Sequence, residues 1–236
     1  MVDSFQKLNR EVCRCVRCPR LVHFRETVES KPIYNDETYW RKPVPGFGDH
    51  QAWLLLLGLA PAPHGGNRTG RPFTGDLSGD FLIRCLYNQG FANQPTSRQW
   101  DDGLELIGCY MTPAVKCVPP LHKPTPQEFY NCAEYLHREI YLLKNLRCIL
   151  ALGRAAFDAY LRFLRGQGVT TTGVKFKHGA IIEFEGWPSL AASYHPTPRN
   201  VNTGTLTKEM FEELLKKLKE NNFSTQRRRG AKTQWK

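Results

Sequence analysis

Long apolar runs are missing from this chain of 236 residues. The longest, residues 53–60, has eight positions, whereas a membrane-spanning helix needs about 20. The first 30 residues mix acids, bases and cysteines and contain no apolar signal core, so a cytoplasmic location is expected and a secreted or membrane one is not. Two catalytic signatures are also missing. There is no G-x-S-x-G elbow and no P-loop, which removes the usual support for a serine hydrolase or a phosphate-cradling enzyme. Acids are absent from residues 50–75, 106–127 and 186–208, as they are from 140–157 and 159–182.

What is present begins with charge. Lys and Arg number 33 against 22 Asp and Glu, a net charge of +11. An apolar fraction of 41% allows a sizeable core without disulfide staples. Residues 224–236 hold five bases and no acid. The composition therefore predicts one folded domain over 1–223, carrying +6, and a basic, mobile tail over 224–236. The surplus favours an anionic partner, with nucleic acid the commonest.

Four short, wholly apolar segments read as buried strands of a parallel sheet: 53–59 (WLLLLGL), 106–115 (LIGCYMTPAV), 148–152 (CILAL) and 189–194 (SLAASY). Amphipathic helix patterns cover 78–89, 125–143, 155–164 and 207–220. The alternation predicts a three-layer α/β/α domain around a mostly parallel, four-stranded sheet. Right-handed crossovers would gather the loops that follow the strands at one edge, where open α/β sheets bind ligands. Those loops are APAPHGGNRTGRPFTGD (60–76), PAVKCVPPLHKPTP (113–126) and HPTPRNVNTGTLTK (195–208). They are rich in Gly and Pro and, except for Asp76, free of acids.

Eight cysteines are available. Cys15 and Cys18 form a C-x2-C pair suited to a metal ion or an iron–sulfur cluster, and Cys117 and Cys132, flanking the second loop, are the candidate partners. Zinc, an iron–sulfur cluster and free thiols in a reducing cytosol all fit the spacing. Cys85, Cys109 and Cys148 fall in apolar patterns and read as core thiols. Asp76, just before a helix, fits an N-cap and equally a carboxylate that orients water. His195, at a strand's carboxyl end and before Pro196, fits a surface or satisfied core residue, or a donor to a leaving group. Phe73 either anchors its loop or stacks on a planar ligand. Asn67, Arg68, Thr69 and Arg71 suit phosphate or base edges, or simply hold their loop together. Arg199, next to Asn200 in a proline-framed loop, suits insertion into a DNA groove, with Lys116, Lys123 and Lys208 neutralising phosphates. A non-catalytic, metal-stabilised nucleic-acid-binding module is the alternative function.

Three motifs occur together: G-L-A-P-A-x-H-G-x-N-R-T-G-R-P-F-T-G-D (58–76), A-V-K-C-x-P-P (114–120) and S-Y-H-P-T-P-R-N-x-N-T-G (193–204). Together they resemble the uracil-DNA glycosylase superfamily. The N-terminal C-x2-C-P-R-L (15–21) points to its iron–sulfur branch, and the long first motif ending F-T-G-D to family 5, the UDGb group. The resemblance implies a monofunctional, monomeric, nucleoid-associated prokaryotic enzyme that excises uracil and other deaminated bases, such as hypoxanthine, from DNA. It implies a structural [4Fe-4S] cluster on Cys15, Cys18, Cys117 and Cys132. It places Phe73 in the stack on the flipped base, His195 at the base's carbonyl oxygen, Asp76 beside the water, and Gly58 and Ala60 in the base pocket. Ala60 stands where other families carry a polar water activator. Pro113 stands where related cluster-bearing enzymes carry the asparagine that reads uracil's edge, which implies a less selective pocket, since proline brings neither an amide side chain nor an N–H.

Overall fold

The computed structural model describes residues 4–228, with side chains to residue 222. Its strands are β1 (Phe47–Gly48), β2 (Leu54–Gly58), β3 (Cys109–Pro113), β4 (Cys148–Leu152), β5 (Ile181–Phe184) and β6 (Trp187–Ser193). They form one sheet in the order β1-β3-β2-β4-β6-β5. The central four are the expected strands, and all their pairings are parallel. The sheet nevertheless has six strands, not four, because β1 and β5 add antiparallel edges. A two-residue strand has no legible alternation, and β5 is only half-buried. Neither resembles the wholly apolar runs that identify central parallel strands.

The helices are α1 (Phe5–Cys13), α2 (Pro19–Thr27), α3 (Gly66–Thr69), α4 (Leu77–Asn88), α5 (Pro126–Leu142), α6 (Arg154–Gly166), α7 (Pro198–Asn202) and α8 (Lys208–Arg228). Alternation along β2 divides the core between them. Leu55 and Leu57 face one layer with Leu136 and Ile140 of α5 and Phe157 and Tyr160 of α6. Leu54 and Leu56 face the other, with Leu82 and Leu86 of α4 and Phe211 and Leu215 of α8. Each such leucine contributes about 1.5–3 kcal/mol by leaving water. α5 starts sharply because Thr125 and Glu128 form a capping box behind Pro126 at the first turn.

α8 extends to Arg228, so its backbone takes in the first five residues of the segment expected to be a mobile tail. No Gly or Pro interrupts it before Gly230. Residues 229–236, the rest of that segment, lie outside the described residues. Among the described residues no helix is long and apolar enough to cross a membrane.

The parallel register aligns the carboxyl ends of the central strands. Gly58 pairs with Pro113, and Leu152 with Ser193. The three Gly/Pro-rich loops therefore leave the sheet at the same edge, as expected.

Candidate active site

The loop after β2 is framed by its own polar side chains. Asn67, Arg68 and Arg71 are buried. Asn67 Nδ2 donates to the Arg25 carbonyl at 3.1 Å. Arg68 donates to the carbonyls of His64 (2.7 Å) and Gly75 (2.9 Å), pairs with Glu37, and lies 3.9 Å above the Tyr34 ring. Arg71 holds both oxygens of Asp102 at 2.8 Å and donates to the hydroxyls of Thr74 and Ser97, each at 2.9 Å. With their donors engaged inside the protein, these three residues are internal struts, which corrects their expected place at the DNA. Lys116 is corrected for the same reason. It is buried, with Nζ 2.7 Å from Glu139 Oε2.

The framed loop delivers Asp76 and Phe73. Asp76 caps α4, its Oδ1 accepting the Gly79 N–H at 2.9 Å. Its Oδ2 sits where a Cβ on Gly65 would be, so only glycine fits at position 65 without displacing the carboxylate. Burial raises the Asp76 carboxyl above the ordinary aspartate range, against the N–H groups of Gly79 and Ser78 and the charge of Arg68. Burial outweighs these, and the neighbouring Asp80 adds to the rise. Phe73 has φ 49°, a left-handed conformation that costs a bulky residue about 1–3 kcal/mol. Its ring lies on Gly58, where an added Cβ would be 2.7 Å from Cζ.

His195 comes from the loop after β6, its ring centroid 6.2 Å from that of Phe73. Its carbonyl accepts from Asn200 Nδ2 and from the Thr197 N–H, both at 2.8 Å. Asn200 therefore secures the loop that carries His195 while staying partly exposed. Gly153, at φ 94°, lets His195 approach, since a Cβ there would be 3.2 Å from the histidine Cβ. Burial, aided by the charge of His122, lowers the imidazole to about 4, so the ring is neutral at physiological pH. Its Nδ1 is buried with no hydrogen-bond partner. Arg199 is exposed, as expected, but rides on the short helix α7, capped by Thr197, and not on an extended loop. Lys123 and Lys208 are also exposed.

Gly58, Ala60, Phe73, Asp76, Pro113 and His195 line one cavity of about 50 Å³. Ala60, Asp76 and His195 also line a wider groove of about 850 Å³, joined there by Lys31, His64, His122 and Arg154. His122 reaches the groove from a turn in which Leu121 (φ 53°) and His122 (φ 56°) are both left-handed.

Cys15, Cys18, Cys117 and Cys132 come together in a separate apolar cluster with Leu8, Val12, Leu21 and Val115. Cys15 and Cys18 lie in the turn between α1 and α2, and Cys132 lies on α5. Burial pushes the Cys117 thiol up to about 11 and the Cys132 thiol up to about 12. Cys13 stands apart in a surface groove beside Trp40 and Lys42. Cys85, Cys109 and Cys148 are buried in the core, as their patterns suggest.

The family model described as Uracil DNA glycosylase superfamily matches residues 45–219. The chain belongs to this superfamily. It is 48% identical over 206 residues to the type-5 uracil-DNA glycosylase of Thermus thermophilus, covering 87% of this chain and 92% of that protein. It is 47% identical to the type-5 enzyme of Pyrobaculum aerophilum, covering 91% of each. The type-4 uracil-DNA glycosylase of Archaeoglobus fulgidus is 26% identical over 83% of this chain and 82% of that protein. The superfamily's α/β sheet thus carries all three motifs at one edge. Lys31 and Arg154 had no sequence signal, since ordinary bases outside the motifs become groove residues only through the fold. His64 is a fixed position of the first motif and His122 lies in the second loop, but neither was given a role from the sequence.

Proposed function

We propose that this chain is a monofunctional uracil-DNA glycosylase that hydrolyses the N-glycosidic bond of uracil and of other deaminated bases, leaving an abasic site. The observation that carries the reading is the meeting of Asp76, Phe73 and His195 around one cavity floored by Gly58 and Pro113. Extruding a base from the duplex costs a few kcal/mol, least for a mispaired one, and stacking on Phe73 offsets part of that cost. As the C1′–N bond breaks, its electron pair leaves with the base and positive charge develops on the sugar. Asp76 orients the attacking water, faces the developing cation and takes the water's proton. Neutral His195 donates an N–H to the base's carbonyl oxygen and stabilises the departing anion. Pro113 offers that base no amide, which supports acceptance of hypoxanthine beside uracil. The exposed Arg199 and Lys123 are sequence neighbours of the groove residues Pro198 and His122, well placed to meet phosphates.

The same reading assigns a [4Fe-4S] cluster to Cys15, Cys18, Cys117 and Cys132, where it would tie the N-terminal helices to β3 and α5. One feature supports it: all four cysteines belong to one apolar cluster, apart from the other four. Four thiolates in an apolar setting suit a metal–sulfide core. An iron–sulfur protein would be brown with about four iron atoms per chain, and a zinc protein colourless.

The test uses labelled duplexes carrying uracil, hypoxanthine or xanthine, followed by alkaline cleavage of abasic sites. Asp76→Ala should lower single-turnover excision by at least about tenfold while DNA binding persists. Unchanged rates would remove Asp76 from the mechanism.

A further inference from the structure

Arg25 of α2 is 4% exposed and takes no part in the chemistry above. Its Nη1 donates to Cys117 Sγ at 3.2 Å and to the Cys15 carbonyl at 3.1 Å. Its own carbonyl accepts from Asn67 in the loop that carries Asp76. The other cysteine sulfurs of the set also have hydrogen-bonding neighbours. Asn131 Nδ2 lies 3.4 Å from Cys18 Sγ, the Lys116 N–H donates to Cys132 Sγ at 3.2 Å, and Tyr135 is hydrogen-bonded to Cys15. Arg25 alone among these donors brings a full charge.

A buried guanidinium is costly unless an anion matches it. The carboxylate beside Arg25 is Glu26, 3.6 Å away and mostly exposed, a weak match. Arg25 Nε is buried without a hydrogen-bond partner. The guanidinium is therefore undercompensated by protein groups alone, and its closest polar contacts are at the cysteines. Four thiolates around an iron–sulfur core carry net negative charge, which is the missing partner. Hydrogen bonds and charge at the sulfurs tune such a cluster's potential and retention.

We infer that Arg25 is a positioning residue for the cluster: its guanidinium neutralises the Cys117 thiolate, raises the cluster's reduction potential and slows its loss, while its backbone secures the loop that carries Asp76. This rests on the assignment of a cluster to the four cysteines. The iron content of the wild-type protein tests that assignment by itself. If the wild type contains zinc or no metal, the assignment fails and this inference falls with it.

The inference is tested by comparing Arg25→Gln and Arg25→Lys with the wild type. The readouts are iron and sulfide content, decay of visible absorbance in air, and reduction potential by voltammetry. Arg25→Gln should lower the potential and speed cluster loss about tenfold or more. Arg25→Lys keeps the charge but not the planar fork, so its potential should stay close to wild type while its cluster is lost at an intermediate rate. Should Arg25→Gln yield no folded protein, Arg25→Lys still decides. Wild-type cluster retention in Arg25→Lys, or wild-type potential and retention in a folded Arg25→Gln, would overturn the inference.

Discussion

Replacing Gly65 by alanine introduces one methyl group against the Asp76 carboxylate. Its Cβ would overlap Asp76 Oδ2, so either the carboxylate or the backbone of the loop must move. The loop resists, because Arg68 is tied to the carbonyls of His64 and Gly75 on either side of the contact. The carboxylate is the softer element. A displacement of about 1 Å in a group that orients a reactant costs about 100-fold in rate, or about 2.7 kcal/mol of transition-state stabilisation. The rotation also strains the Asp76 cap on the Gly79 N–H, worth about 1 kcal/mol of stability. Single-turnover excision of uracil from a U·G duplex, alongside a thermal melt, measures both effects. Asp76→Asn supplies the complementary case. Asparagine caps helices about as well as aspartate, so its melting temperature should stay near wild type while its rate falls at least about tenfold. Gly166→Ala is the control, since nothing lies within 4 Å of a Cβ there. A folded Gly65→Ala enzyme excising uracil within about twofold of wild type would refute the reasoning.

Gly58→Ala should push the Phe73 ring from its seat and remove a stacking contribution of about 1–3 kcal/mol, read as slower excision with duplex affinity retained. A wild-type rate would show that the ring's position is immaterial. The pH dependence follows from the two titrating groups. Excision needs Asp76 ionised, so the rate should fall as pH drops through its raised pKa. His195 is already neutral above about pH 4, so no limb belonging to it should appear near its unperturbed value of about 6.5. A limb there that vanishes in His195→Ala would contradict the assignment. The same lowered pKa means that the unfolded chain binds the proton more readily than the folded one. Stability should therefore be intact above about pH 6.5 and decline toward about pH 4, which denaturant titrations across that window would detect. Asp102→Ala should strand the buried Arg71 charge and cost about 3–5 kcal/mol. A loss below about 1 kcal/mol would mean that water replaces the pair.

The chain order of apolar runs and punctuating loops was enough to place the four central strands, the four long helices and the edge at which ligand chemistry gathers. Periodicity and glycine or proline placement are local properties, and sequence reports them directly. His195 was legible as a candidate from its place at a strand's end, Asp76 from its place before a helix and Phe73 as an apolar ring in a polar loop, and the resemblance of the three motifs supplied their expected roles. Charge was misread where burial decides. Along the chain Arg68, Arg71 and Lys116 suit DNA contacts, and they become struts only when Glu37, Asp102 and Glu139 arrive from distant segments to match the charges, as Asn67 does on meeting the Arg25 carbonyl. Edge strands too short or too mixed to show a pattern were likewise settled by pairing partners. The sequence by itself determined which side chains are available and which loops carry them. The tertiary structure decided which charges remain free to meet DNA, that Gly65 must leave room for the Asp76 carboxylate, and that Arg25 faces the cysteines. Those outcomes depend on contacts between residues far apart in the chain, and no local pattern encodes such contacts.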